Sequence, residues 1–346
     1  MSATPRKSRA SGRVTLDHVA EAAGVSRITA SRALRGERRV GAELVKRVAE
    51  AAARLGYVPD PAARALASTR SNTVVVLIPL LSNNLFVDLL EAVHRTLYPA
   101  GYHVLIGVTH YRPQEEEALL TSYLTQRPAG LLVTGFDRTP QCRKLIEQSG
   151  VPCVHLMETS QDPAQYCVGF SQTEAGQALT DHLLQIGRRR IAFAAAQLDP
   201  RVMKRMQGYR QSLSAAGCYD PALELLNPKP SSLALGGELL ETLLQEHPEV
   251  DAIFFCNDDL AQGGLLAAMR LGIKVPQQIA IAGFNDLSGS AQMWPPLTTV
   301  RTPRVEIGAN AASMLLNLMR GEPQRDHSID RGWTLQLRQS TLGVLG

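Results

Sequence analysis

Two arginines four residues apart, Arg201 and Arg205, stand just beyond an apolar run in the segment AAAQLDPRVMKRMQGY. A helix opening near Asp199-Pro200 places both on one face. Two guanidinium forks converging on a cleft suit a carboxylate or phosphate, whose oxygens they match bidentately. The plainer alternative is a solvated basic face that includes Lys204. Two other segments, AIFFCNDDLAQGG and IAIAGFNDLSGS, each end an apolar run on Asn-Asp. Asn257 and Asp258 can cap the following helix, since a short side-chain oxygen accepts from its unpaired N–H groups.

A different chemistry is written in residues 26–34, SRITASRAL. At helical spacing Ala30, Ala33 and Leu34 form a small inner face, while Arg27, Ile28, Thr29, Ser31 and Arg32 form a mostly polar outer one. Such a helix sits close to its neighbour and fits the major groove of DNA. There arginine pairs bidentately with guanine, and Ile28 offers apolar contact, for instance to a thymine methyl. Ser26, Thr29 and Ser31 suit phosphates or caps. An amphipathic helix with a wet face would show the same pattern.

Catalytic and metal chemistry finds little support. Asp258 and Asp259 are adjacent, and adjacent helical residues point apart, so they cannot flank one bond as a glycosidase pair does. No G-x-x-x-x-G-K-[ST], G-x-S-x-G or H-E-x-x-H occurs, and the eight histidines show no metal-ligand grouping. The five cysteines, Cys142, Cys153, Cys167, Cys218 and Cys256, lack a C-x-x-C pair and read as free thiols. Neither a cofactor nor an enzyme is expected.

The elements that hold these groups differ along the chain. Residues 1–70 carry 14 Lys/Arg against 6 Asp/Glu, whereas the remaining 276 carry 22 against 26, so a basic module joins a slightly acidic body. The 346 residues, 45% of them apolar, exceed what one compact domain usually holds. No stretch reaches the roughly 18 uninterrupted apolar residues of a membrane span, and MSATPRKSRASGR lacks the h-region of a signal peptide. A cytoplasmic protein is expected.

In VTLDHVAEAAGVS, Leu16, Val19, Ala20 and Ala23 share one helical face, with Thr15 to cap the start and Gly24 to turn the end. A third helix, ELVKRVAEAAARLG, buries Leu44, Val48, Ala52 and Leu55 and stops at Gly56. Two helices joined by a short glycine-containing turn make a helix-turn-helix. From residue 73 onward, apolar runs such as TVVVLIP, HVLIGV, GLLVTG, RIAFAAA, AIFFC and IAIAGF alternate with helical patterns. Strands that are apolar throughout imply parallel sheets covered on both faces. Two such series suggest two lobes, with ligand positions just after the strands.

The runs VTLDHVAEAAGVSRITASRALRG and RVAEAAARLGYVPDPAARALA resemble the DNA-binding head and hinge of the LacI family of bacterial transcription regulators. One departure is Gly41, where that family usually has a helix-capping Ser. VGF at 168–170, CNDDLAQG at 256–263 and AIAGF at 280–284 are similar to its gluconate-repressor subgroup, whose effector is a sugar acid.

The resemblance implies an arm over 1–13, a head over 14–58, a hinge over 59–72, and an effector-binding and dimerisation body over 73–346. Lobe 1 would span about 73–170 and 301–328, and lobe 2 about 171–300 and 329–346. It places Phe86, Arg205, Asn257 and Asn285 on the effector, with Arg201 one turn before Arg205. Asn285 stands where the family usually has Asp, a lost charge consistent with an anionic ligand. Ser171-Gln172 replaces the usual Asp-Asn, leaving gluconate, 2-ketogluconate and phosphorylated relatives open. Leu66 matches the residue that wedges into the minor groove at the operator centre. PAARALA, at 61–67, is shorter than the roughly 12 residues an isolated helix needs, so it would fold only on DNA beside a second hinge.

The expected partners are pseudo-palindromic operator DNA, a small sugar acid and a second copy of the chain; the family's tetramerising leucine-heptad tail is missing before Gly346. Rival readings are a sugar-acid-binding module of a transport system and a regulator whose ligand acts as corepressor.

Overall fold

The computed structural model describes residues 14–34, 40–58, 71–81 and 84–342, and the chain divides into two units after Ser71. In the first unit α1 (Leu16–Ala22), α2 (Arg27–Leu34) and α3 (Ala42–Leu55) enclose a small core. Thr15 and His18 cap α1 reciprocally. Gly24, at φ +61°, makes the turn, and the Ser26 hydroxyl accepts from Thr29 N at 3.1 Å to start α2. Gly41 opens α3 with no side-chain cap, and Gly56 closes it in the left-handed region.

The core of this unit is Val19, Ala20, Ala23, Ala30, Ala33, Val48, Ala51 and Ala52. Its alanines let the helices approach closely. The buried stripe of α3 corrects one expectation: Val45, three residues before Val48, packs on this core, and Leu44 is only half-buried outside it. The arm at 1–13 and the hinge residues 59–70, including Leu66, lie outside the described residues.

The second unit holds two six-stranded sheets. The first runs β11-β5-β4-β3-β1-β2, from β1 (Thr73–Ile78), β2 (His103–Val108), β3 (Gly130–Thr134), β4 (Cys153–Leu156), β5 (Tyr166–Gly169) and β11 (Ser328–Asp330), all parallel. The second runs β12-β10-β9-β8-β6-β7, from β6 (Ile191–Ala196), β7 (Glu224–Asn227), β8 (Ala252–Phe255), β9 (Ala280–Asn285), β10 (Thr298–Arg301) and β12 (Thr334–Gln336). Among the described residues only β12 is antiparallel there.

Helices α4 (Asn84–Leu97), α5 (Pro113–Leu124) and α6 (Pro140–Ser149) connect strands of the first sheet. Helices α7 (Gln172–Gln185), α8 (Pro200–Ala215), α9 (Leu233–Glu246) and α10 (Asp258–Arg270) serve the second. Strands such as β1 and β6 are buried along nearly their whole length because helices cover both faces. Helix α4 opens at Asn84, six residues after β1 ends.

Among the described residues the chain passes between the lobes three times: between β5 and α7, between β10 and α11 (Arg304–Arg320), and between β11 and β12. Helix α11 packs on α4 and on β3, β4 and β5, so it belongs to lobe 1, and the short α12 (Gln339–Leu342) returns to β9 and β10. Two expected boundaries shift. Arg301 ends a strand of the second sheet, and residues 328–330 pair with β5 in the first, because backbone pairing sets the crossing points. Among the described residues no helix is long and apolar enough to cross a membrane.

Candidate ligand site and nucleic-acid interface

On α2 the residues singled out by spacing share the open side. Ile28 is 65% exposed, Arg27 and Arg32 are exposed, and Thr29 and Ser31 are half-buried, while Ala30 and Ala33 face inward. Ser26 and Thr29 are partly occupied with each other, their hydroxyls lying 2.9 Å apart. Arg27 lies 3.5 Å from Asp17, an exposed pairing that water weakens. The open side of α2 thus presents one long apolar side chain beside Arg27 in the first turn, with Arg32 in the last turn, the mixture that reads thymine methyls and guanine edges.

In the body a cavity of about 240 Å³ lies between the lobes, and it collects Phe86, Arg201, Arg205, Asn257 and Asn285. Its walls are the segments that follow β1, β2, β4, β6, β7 and β8, together with the last residue of β9. Parallel strands leave room there because their connections splay apart at the carboxyl ends.

Helix α8 can bring its arginines in because it lies unusually close to α7. A Cβ on Gly208 would meet Thr173 O at 2.1 Å, and one on Gly176 would meet Arg205 O at 2.4 Å. Two glycines therefore set the depth of Arg205.

The two arginines meet opposite surroundings. Arg201 Nη2 is 3.1 Å from Asp199, and its Nη1 is 3.4 Å from Asp137 and 3.8 Å from Glu158. Burial opposes its charge, but Asp199, Asp137 and Glu158 outweigh that and hold its pKa above the ordinary value. Lys204 also pairs with Glu158. Since Asp137 and Glu158 sit in lobe 1 and α8 in lobe 2, this cluster ties the lobes together across the cleft.

Arg205 is held by neutral groups: Nε donates to Gln172 Oε1 at 2.8 Å, Nη1 donates to Cys256 O at 2.7 Å, and its guanidinium lies 3.9 Å from the centre of the Phe284 ring. Among the described residues no carboxylate lies within ion-pair distance of it. Burial, partly offset by the more distant Asp199, lowers its pKa from the ordinary value. A buried cation without a counter-ion is costly, and an anion in the cavity would relieve that cost.

The two asparagines also differ. Asn257 caps α10, its Oδ1 accepting from Leu260 N at 3.1 Å and Ser231 Oγ at 3.0 Å. Its amide nitrogen makes no hydrogen bond among the described residues, and Asn257 lines the cavity. Asn285 is buried, with φ +113°, and among the described residues its Oδ1 has no hydrogen-bond partner. Phe86, 2% exposed, serves both as lobe 1 core and as cavity wall.

Several lining residues were not singled out as ligand contacts from the sequence: Tyr111, Gln197, Ser231, Ser232 and Asp259, the last considered there only as one of an adjacent carboxylate pair. Tyr111 stands three residues beyond β2, so the same rule that singled out other residues after strands would have found it. Burial raises its phenol well above the ordinary value, which keeps it a neutral donor. Ser231 and Ser232 follow β7, a short strand with no clear apolar signature. Asp259 is a carboxylate in the lining whose pKa burial pushes upward. No cluster of three or more metal-ligating side chains occurs among the described residues.

A helix-turn-helix head joined to a two-lobed binding body defines a class of ligand-responsive DNA-binding regulators. Residues 15–60 match the model for bacterial regulatory proteins of the lacI family, and residues 180–341 match that for a periplasmic binding protein-like domain. The HTH-type transcriptional regulator GntR of Pseudomonas aeruginosa is 55% identical over 336 residues, 97% of this chain and 98% of the relative.

The crystal structure of transcription regulator GntR from Chromobacterium violaceum shares 49% identity at a TM-score of 0.76, covering 78% of this chain and 99% of that one. The lac repressor dimer bound to operator and the anti-inducer ONPF shares 25% identity at a TM-score of 0.82, covering 95% and 99%. The chain belongs to the LacI family: it is a DNA-binding transcriptional regulator and not an enzyme.

Proposed function

We propose that the cleft takes a small sugar acid, gluconate or 2-ketogluconate, and that the protein is a cytoplasmic homodimeric repressor which this ligand releases from a pseudo-palindromic operator. The observation that carries the ligand class is Arg205, a buried guanidinium held only by neutral groups beside a cavity that also offers amide and hydroxyl groups. A carboxylate would meet Arg205, and hydroxyls would meet Asn257, Asn285, Tyr111 and Ser231. Arg201 lines the cavity with its charge already matched. The likeness to proteins named GntR supports the same class.

At the other end, Arg27, Ile28 and Arg32 read base edges, Ser26, Thr29 and Ser31 serve phosphates or caps, and Leu66 of each protomer wedges at the operator centre. Ligand closes the lobes and parts the two hinges, so that they no longer fold on DNA. For this the ligand must bind the released state more tightly, since equal affinity for both states shifts nothing.

Titrating D-gluconate and 2-ketogluconate against a preformed operator complex tests ligand and sign together. Release by either supports the proposal, tighter binding makes the ligand a corepressor, and a response only to a neutral sugar or purine overturns the sugar-acid reading.

A further inference from the structure

Asn285 holds a conformation that an L-residue rarely adopts, and its neighbour Asp286 also has positive φ, at +49°. A free Asn-Asp turn would relax, and an asparagine side chain ordinarily bonds to nearby backbone. Here neither happens, because the turn is pinned from behind. Arg304 Nη1 donates to Asn285 O at 2.8 Å and to Asp286 O at 3.2 Å, and its Nη2 donates to Asp286 O at 3.2 Å. Thr302 Oγ1 adds a bond to Asn285 O at 3.4 Å, and Arg338 holds the Asp286 carboxylate at 2.8 Å.

Arg304 is itself aimed. Its Nε donates to Asp88 at 2.6 Å, which leaves both terminal nitrogens for the carbonyls. Arg304 opens α11 and Asp88 lies on α4, so both belong to lobe 1, whereas Asn285 ends a strand of lobe 2. Helix α4 also carries Leu85 and Phe86 to the cavity wall.

We infer that Arg304, oriented by Asp88, is a positioning residue for ligand recognition: it holds Asn285 strained so that its unpartnered Oδ1 accepts a hydroxyl of the ligand. One lobe thereby shapes an acceptor carried by the other, and recognition of a polyol requires the lobes to be in register. The ligand class rests on the function proposed above; the positioning role does not.

The test is a double-mutant cycle in the full-length protein, read by calorimetric titration with D-gluconate. Arg304→Met and Asn285→Ala should each weaken binding about tenfold, the scale of one hydrogen bond to a buried group, and the double variant should be no weaker than Asn285→Ala. Losses that multiply would overturn the inference, since Arg304 would then act independently of Asn285. A ligand-free arm uses Asn285→Gly, because glycine tolerates this backbone without being held. Arg304→Met should lower Tm in the native background and clearly less in Asn285→Gly; equal losses in both would also overturn it. If wild-type protein fails to bind D-gluconate, the sugar-acid reading falls and the melting arm still decides the role of Arg304.

Discussion

The head and the cleft both use arginine, in opposite settings. On α2, Arg27 and Arg32 are exposed and their fields are screened by water and salt. In the cleft Arg201 and Arg205 are buried, so each must be matched by protein groups or by a ligand. The exposed setting suits a polyanion that is met anywhere along its length; the buried one suits a single small anion chosen for charge and shape. Within the cleft the contrast repeats, since Arg201 is saturated by carboxylates and Arg205 is not.

Salt gives the largest separation. Raising it from 50 to 200 mM should weaken operator binding about 10³-fold through counterion release, while D-gluconate affinity changes only about twofold. Parallel slopes in fluorescence anisotropy and calorimetry would erase the distinction between the two settings.

Next comes the division within the cleft. Arg205→Met should reduce D-gluconate affinity about 100-fold and abolish preference over the neutral polyol D-glucitol, as loss of a buried charge partner does. Glu158→Gln, which loosens the cluster around Arg201, should reduce affinity about tenfold and leave that preference intact. If Glu158→Gln also removes the preference, Arg201 meets the ligand directly.

Leu66→Ser should weaken operator binding about tenfold by removing an apolar wedge, with D-gluconate affinity unchanged in calorimetry. Unaltered operator affinity would confine recognition to α2. The smallest effect is in the head: Gly41→Ser should stabilise it by a few tenths of a kcal/mol in denaturant melts, because α3 begins without a side-chain cap. A loss of stability would mean that Gly41 is needed for the turn.

What the sequence determined alone is whatever depends on near neighbours. The three head helices, their caps at Thr15 and Ser26 and the stop at Gly56 follow from spacing and residue type, as does the alternation of strands and helices in the body. Asn257 and Asn285 were legible because they stand just after, or at the end of, apolar strands, and Arg205 because it shares a helix face with Arg201 and matches the family's effector-binding arginine.

Only the tertiary structure decided the state of those groups. Arg201 is neutralised in part by Asp137, 64 residues away in the chain. Asn285 is pinned by Arg304, and Arg304 is aimed by Asp88, 216 residues away. Helical spacing places a guanidinium on a face, but the carboxylates and carbonyls that meet it arrive from other strands and from the other lobe. The energy of a buried charge depends on those neighbours far more than on its position along the chain.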